Sequence, residues 1–337
     1  MNMENNQDVE YGFGGRLNGS FPSQIIVDAT EICNLGCTHC PHPVFKESPI
    51  YSGSKLDPAL NRKMAEEVRD HGQGITEYIR YTSNGEPLVH PHIYDMMREA
   101  REISGVFVSL TTNGKIMREK QVEKIIDAGV NLVDISIDAF KDETYEKIRV
   151  GGKLPDTRKH VLNLIEQKNA AKTGMKVIVS FIEQPENTDE ADDFEKFWKD
   201  SGADYVVIRR LHSAAGSIDS IKQDMISKQE KADIPRKPCL YPWERILLNA
   251  TGQLAFCPTD WEHGSLIVDY NTNTISDVWQ GEFYQKLREA HLTNNYENHS
   301  FCGQCPDWQH TRWPGEGRSY ADMVEEFIRE EATSAAE

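Results

Sequence analysis

The chain has no apolar run approaching the ~18 residues that a membrane-spanning helix needs. It is also short of positive charge. Lys and Arg number 37 against 54 Asp and Glu, a net charge of −17, which removes the basic footprint that nucleic-acid-binding surfaces carry. The opening stretch MNMENNQDVEYGFGG lacks both an apolar segment and a basic flank, so no secretory signal is read there. A cytoplasmic protein is expected, free of nucleic acid and membrane, with its thiols reduced rather than paired as disulfides. Nor is any cysteine left over: the seven fall into one set at 33, 37 and 40 and another at 239, 257, 302 and 305.

The first set sits in VDATEICNLGCTHCPHP, just after an apolar run (24–29) that reads as a buried strand. A loop leaving a strand can fold three thiolates onto one metal centre. A four-iron cluster fully ligated by protein takes four cysteines, so a set of three leaves one iron open for a reactant. Zinc also fits the spacing, with His39 or His42 as fourth ligand.

From residue 24 short apolar strands alternate with amphipathic helices, the pattern of a parallel sheet with crossover helices. Strands are expected at 24–29, 78–82, 106–111, 132–137, 176–181 and 205–208, and helices at 56–71, 93–103 and 120–128 among others. Six such units make a partial (β/α)6 TIM-like barrel, two short of closure, in which chemistry belongs at the strands' C-terminal ends. Polar clusters fall at those ends: Asn84, Gly85, Glu86 and Pro87; Thr112, Asn113 and Gly114; Ser136 and Asp138; Arg209, Arg210 and His212. Singly each is ambiguous, since Asn-Gly is commonly a turn and a polar strand end commonly a helix cap.

Residues 1–20 read as a flexible arm and 213–238, polar and closed by prolines, as a linker. Runs 245–249 and 253–257 straddle Ala250, Thr251 and Gly252, a β-hairpin that brings Cys239 towards Cys257. A helix (275–290) precedes the C-x2-C pair Cys302 and Cys305. Four such cysteines can close a zinc site or ligate a four-iron cluster, and spacing by itself favours zinc, a common structural metal. In the tail, Tyr320, Met323, Val324 and Phe327 fall on one helical face, suited to packing on the barrel; the last six residues are expected to be disordered.

The C-x3-C-x2-C loop after a first strand resembles the radical S-adenosylmethionine (radical SAM) superfamily. The resemblance implies a [4Fe–4S] cluster on Cys33, Cys37 and Cys40 whose open iron chelates SAM. The segment at 84–87 resembles the family's GGEP-like motif, with Asn84 at the first glycine position, and implies that Gly85, Glu86 and nearby backbone receive the SAM amino group. Thr112, Asn113 and Gly114 resemble the family's TNG segment; Ser136 and Asp138 correspond to the position that holds the SAM ribose. Arg149 and Phe45 are further candidates for the same site.

The region after residue 239 is similar to the auxiliary-cluster extension of SPASM and twitch enzymes, though with four cysteines where the full SPASM pattern has seven. This implies one auxiliary [4Fe–4S] cluster on Cys239, Cys257, Cys302 and Cys305, closed to substrate and suited to electron transfer. The implied organisation is a radical SAM barrel (21–212), an auxiliary-cluster domain (239–311) of β-hairpin and helix, and a C-terminal helix and tail (312–337).

The function expected on this basis is hydrogen abstraction followed by net oxidation of a small polyol or sugar-type metabolite. A flavodoxin or ferredoxin would serve as electron donor, Asp260 as general base, and Arg209, Arg210 and His212 as contacts to an anionic substrate group. The rivals are peptide modification, a redox-neutral rearrangement or decarboxylation, and a non-catalytic metal-binding module.

Overall fold

Six short apolar segments pair side by side and in parallel, in sequence order, and these build one wall of the molecule. They are β1 (Gln24–Val27), β2 (Tyr78–Tyr81), β3 (Phe107–Thr112), β4 (Leu132–Ser136), β5 (Lys176–Glu183) and β6 (Tyr205–Arg210) in the computed structural model, which describes residues 10–82 and 84–334. Side chains alternate faces along each strand. One face carries Ile25, Val27, Ile79, Tyr81, Val108, Leu110, Val133, Ile135, Val177 and Val179, all fully buried. The helices Pro58–His71, Ile93–Ser104, Glu119–Asp127, Leu154–Ala170 and Ala191–Asp200 supply buried partners to the core on this side. At about 25 cal/mol per Å² of apolar surface removed from water, this layer is where the fold gains most of its stability.

The opposite face lines the barrel interior and is polar where an ordinary barrel is packed with branched apolar side chains. In register across the strands it presents Gln24, Arg80, Ser109, Thr111, Asp134, Ser136, Ser180 and Arg209. Asp134 is fully buried and accepts from Arg80 (3.0 Å), Arg209 and Ser180. Below this polar layer, Tyr78, Phe107, Leu132 and Ile178 meet Met323, Val324 and Phe327 of the C-terminal helix Tyr320–Ser334. One end of the barrel is therefore plugged and the other, where the strands end, is open.

The auxiliary hairpin is not a satellite. Its first strand, β7 (Arg245–Leu248), pairs in parallel with β1, and β8 (Gln253–Ala255) and β9 (Leu266–Asp269) follow antiparallel. A single nine-stranded sheet results, in the order β6-β5-β4-β3-β2-β1-β7-β8-β9. An incomplete barrel exposes unpaired backbone groups at its edge, and an apolar strand such as β7 satisfies them.

Several expectations change. Residues 10–20 do not form a loose arm: Leu17 is buried with Leu240, Trp243 and Trp313, and Arg16 pairs with Glu244 at 2.8 Å; residues 1–9 lie outside the described residues. The supposed linker contains the helix Asp219–Ala232, polar because only Met225 of it is buried. The helix expected at 275–290 is two, Ile275–Gln280 and Glu282–Thr293, broken at Gly281, where a Cβ would lie 2.7 Å from the Asp277 carbonyl. Of the last six residues, 332–334 end the C-terminal helix and 335–337 lie outside the described residues. Among the described residues no helix is long and apolar enough to cross a membrane.

Candidate active site and auxiliary metal centre

The loop after β1 is wound around two buried polar anchors. Glu31 accepts from Ser52 N, Ser52 Oγ and Ser54 N at 2.8–3.0 Å, while His42 Nε2 binds the Glu31 carbonyl at 2.9 Å. Backbone bonds from Gly36 to Val150 and from Thr38 to Ile148 pin its far side. So held, Cys33, Cys37 and Cys40 line one cleft at the open end of the barrel, enclosing about 1270 Å³ of space continuous with solvent. Burial pushes the Cys33 thiol up to about 11 and the Cys40 thiol up to about 12. A cationic metal centre reverses that cost by holding the thiolates directly.

The segment after β2 is seated against this loop by geometry that only glycine satisfies. A Cβ on Gly85 would lie 1.8 Å from the Thr30 carbonyl oxygen and 2.8 Å from that of Ile32. Fully buried Asp28 accepts the backbone N–H groups of Gly85, Asn84 and Thr30; burial, with Glu31 nearby, pushes its carboxyl up to about 8. Asn84 Nδ2 donates to the Asp260 carbonyl at 3.0 Å, tying this segment to the auxiliary domain. Ser83 lies outside the described residues.

Glu86 lines the cleft, but both its oxygens are engaged. They accept from Thr112 Oγ1 (2.7 Å), Leu88 N (3.1 Å) and Asn113 N (2.8 Å). It therefore braces the post-β3 segment, and Asn113 in turn reaches Asn34 of the cysteine loop at 2.7 Å. Thr112, Asn113 and Ser136 face the cleft.

Asp138 does not. It is fully buried in the left-handed region (φ 63°), paired with Arg149 and accepting from Ile182 N at 2.8 Å. Arg149 uses that anchor to set Nη1 3.6 Å from Cys37 Sγ. Phe45 packs against Trp261, ring centroids 5.5 Å apart, and joins the loop to the auxiliary domain.

The residues expected to act on substrate are dispersed. Asp260 is buried, and its carboxylate is spent on the N–H groups of Glu262 (2.9 Å) and Ser265 (2.6 Å); it faces a different hollow from the cleft. A carboxylate that caps a turn in this way is not placed to take a proton from substrate. Arg209 points down to Asp134, and Arg210, one residue on along β6, turns out to solvent. His212 does line the cleft, its Nδ1 accepting from Ala214 N at 3.1 Å.

Sequence reading missed Arg80, Arg245, Tyr241, Thr259 and Trp261 on the cleft walls. Arg80 was findable: it is the one charge in the apolar run of β2, on the inward phase of the alternation. The others depend on β7 joining β1.

The second cysteine set gathers around one cavity rather than closing on a single ion: among the described residues no three His, Cys, Asp or Glu side chains are grouped as for one metal ion. Cys239, Cys257, Cys302 and Cys305 line one cavity of about 430 Å³, walled by Tyr241, Pro242, Phe256, Phe301 and Trp308. Burial raises all four thiols, Cys239 to about 11 and Cys257 to about 12.

Both sites fit iron–sulfur centres. The open cleft has three thiols, with His39 Nδ1 and Arg149 Nε buried and unpartnered on its wall, atoms that a bound polar cofactor satisfies. The second cavity has four thiols, with Tyr241, Phe256, Phe301 and Trp308 and the polar Arg236, Thr259, His291 and Asp307 around them.

Comparison with known proteins agrees. Residues 27–194 match the model of the radical SAM superfamily, and residues 239–306 match SPASM, an iron–sulfur cluster-binding domain. The chain belongs to the radical SAM superfamily and carries a SPASM-type auxiliary-cluster domain. It is a radical SAM enzyme whose cofactors are a [4Fe–4S] cluster with SAM and auxiliary iron–sulfur ligation in the second domain.

Among characterised proteins it is 27% identical, over 194 residues, to the GTP 3',8-cyclase of Alkaliphilus metalliredigens (strain QYMF), covering 56% of this chain and 57% of that one. The chain thus spans less than two thirds of that relative. In fold it is similar to BtrN in complex with AdoMet and 2-DOIA (TM-score 0.56, 17% identity, 84% of this chain and 92% of BtrN). It is also similar to Streptococcus suis SuiB bound to its precursor peptide SuiA (TM-score 0.63, 13% identity, 91% and 73%).

Proposed function

We propose that the enzyme performs a net two-electron oxidation of a small sugar- or polyol-type metabolite, in the manner of a dehydrogenase, with one twitch-like auxiliary cluster as electron acceptor. The observation that carries this reading is a shared wall: Tyr241 and Thr259 line both the substrate cleft and the four-cysteine cavity. When bound, the clusters and SAM supply a 5′-deoxyadenosyl radical that takes a hydrogen atom, and an acceptor for the electron that the substrate then gives up.

The chain's own contribution is positioning. Arg149 holds positive charge beside Cys37, and the Asn84–Gly85 backbone and Thr112, Asn113 and Ser136 are the groups that would orient SAM. Arg80 and Arg245 replace Arg209 and Arg210 as contacts for an oxygen-rich or anionic part of the substrate. Each spends Nε and Nη2 on a neighbour, Thr111 and Asp134 for the first and Glu244 for the second, and leaves Nη1 without a hydrogen bond among the described residues. Such a fork suits carboxylate or phosphate oxygens. Glu86 is the sole carboxylate on the cleft wall among the described residues and is already bonded, so the proton released in oxidation leaves through solvent. Ser136 and His212 stay as lesser substrate or SAM contacts, and flavodoxin or ferredoxin as the class of donor.

A second reading, redox-neutral rearrangement, is favoured by the likeness of the barrel to GTP 3',8-cyclases. The test that separates them is anaerobic reconstitution, dithionite-driven turnover and a substrate panel of polyols, sugar acids and sugar phosphates. A product two hydrogens lighter than its substrate, with label passing into 5′-deoxyadenosine, supports oxidation. An isomeric product from any panel member overturns it.

A further inference from the structure

The auxiliary cavity contains a donor with nothing to donate to. His291 lies in the last turn of the helix Glu282–Thr293 and is 3% exposed. Its Nδ1 receives the backbone N–H of Cys239 at 3.3 Å and sits 3.0 Å from the Tyr296 hydroxyl. A backbone N–H can only donate, so Nδ1 is an acceptor and the ring proton of the neutral imidazole resides on Nε2. Tyr296 O–H therefore also donates to Nδ1. The Tyr296 and Trp243 rings meet the imidazole edge to face, at 5.1 and 6.1 Å, and fix its plane. Yet Nε2 is buried and has no partner, and His291 is on the wall of the cavity shared by the four cysteines. A buried N–H left unpaired is unfavourable, and a group bound in the cavity that His291 lines would supply the missing acceptor.

We propose that His291 Nε2–H donates a hydrogen bond to a sulfur of the auxiliary cluster and raises its reduction potential. A donor aimed at a cluster sulfur stabilises the more negative, reduced state. Arg236 acts in the same sense: its guanidinium holds the carbonyls of Cys302 (2.5 Å) and Gly303 (2.9 Å) and puts a positive charge beside the cavity. The hydrogen bond stands on the auxiliary cluster alone; its consequence, a better electron acceptor, rests on the oxidation reading above. His291 is thus a positioning residue for that acceptor and touches no substrate.

The experiment uses the full chain carrying Cys33→Ala/Cys37→Ala/Cys40→Ala, so that the auxiliary cluster alone is reconstituted, followed by an anaerobic potentiometric titration read by EPR. His291→Leu, which keeps bulk without a donor, should lower the potential, and His291→Asn, whose amide can donate, should recover part of the loss. Equal potentials in all three proteins, or equal lowering in Leu and Asn, overturn the proposal.

Should the Leu variant fail to assemble a cluster, the parent protein still decides. Proton ENDOR on its reduced cluster should show a strongly coupled exchangeable proton that vanishes after transfer to deuterated buffer, and its absence overturns the assignment. If the potential falls in His291→Leu but product formation in the otherwise wild-type background is unchanged, the hydrogen bond survives and the electron-acceptor reading fails.

Discussion

The two cysteine sites sit on one sheet and share two wall residues, yet they are built on opposite principles. The cleft has three thiols, stands open to solvent and is walled by charge: Arg80, Arg149 and Arg245, with His39 and His212. The cavity has four thiols, about a third of the space, and walls in which aromatic rings alternate with Arg236, Thr259, His291 and Asp307. Ligand number alone separates a centre with an open coordination position from a closed one. The walls repeat the distinction. The cleft gathers three arginines and two histidines around the space for SAM, whereas the cavity sets aromatic rings among those few polar groups. On the proposed reading, three thiols and an open coordination position serve chemistry, and four thiols that complete a cluster serve electron transfer.

The most damaging way to test that division is to remove the open site's ligands. In Cys33→Ala/Cys37→Ala/Cys40→Ala, iron should fall from about eight to about four per chain, and 5′-deoxyadenosine formation should vanish while the auxiliary EPR signal persists. A variant that still cleaves SAM would erase the distinction. Gly85→Ala comes next. Its methyl meets the Thr30 carbonyl, so the segment after β2 must move, at a cost of roughly 1–3 kcal/mol. SAM affinity should drop about ten- to hundredfold, measurable by equilibrium binding to the reconstituted enzyme, with cluster content retained. Cys302→Ala should do the reverse: SAM cleavage within about threefold of wild type, since the first site keeps all its ligands, but no oxidised product. Loss of both activities together would show that the cavity supports the barrel rather than storing charge.

How much of this was legible beforehand follows from where each signal is local. The cysteine loop, the strands of the barrel and the Asn84–Gly85–Glu86 segment are read from contiguous residues, and the structure keeps them within a residue or two. The direction of a side chain at a strand end is not local. Asp138 and Ser136 look equivalent as S-x-D, yet Asp138 adopts a left-handed backbone and turns to Arg149, eleven residues on. Asp260, three residues past Cys257, reads as a base from the sequence, but the turn that returns the chain to β9 consumes its carboxylate. The largest miss is the pairing of β7 with β1, a contact between residues more than two hundred apart. No periodicity encodes it, and with it go Arg245, Tyr241 and the shared wall. Polar composition misled twice, at 10–20 and 213–238, because a segment can be mostly solvated and still dock through one or two side chains such as Leu17 and Met225.

The smallest effect probes that shared wall. Thr259 Oγ1 lies 3.3 Å from Cys257 Sγ, and once Cys257 is a cluster thiolate only the hydroxyl has a proton to give. Thr259→Val keeps the shape and removes the donor. A hydrogen bond of this kind is worth about 0.5–1.5 kcal/mol, and only the part that strengthens on reduction moves the potential, so the auxiliary potential should fall by at most roughly 20–60 mV for a one-electron couple, read in the same EPR titration. Because Thr259 also faces the cleft, the variant carries a second signal. If the auxiliary centre takes the substrate's electron, product formation should slow while SAM cleavage without substrate does not. If the potential falls and turnover with substrate is untouched, the two sites share a wall without sharing an electron, and the open and closed halves of the molecule are only neighbours.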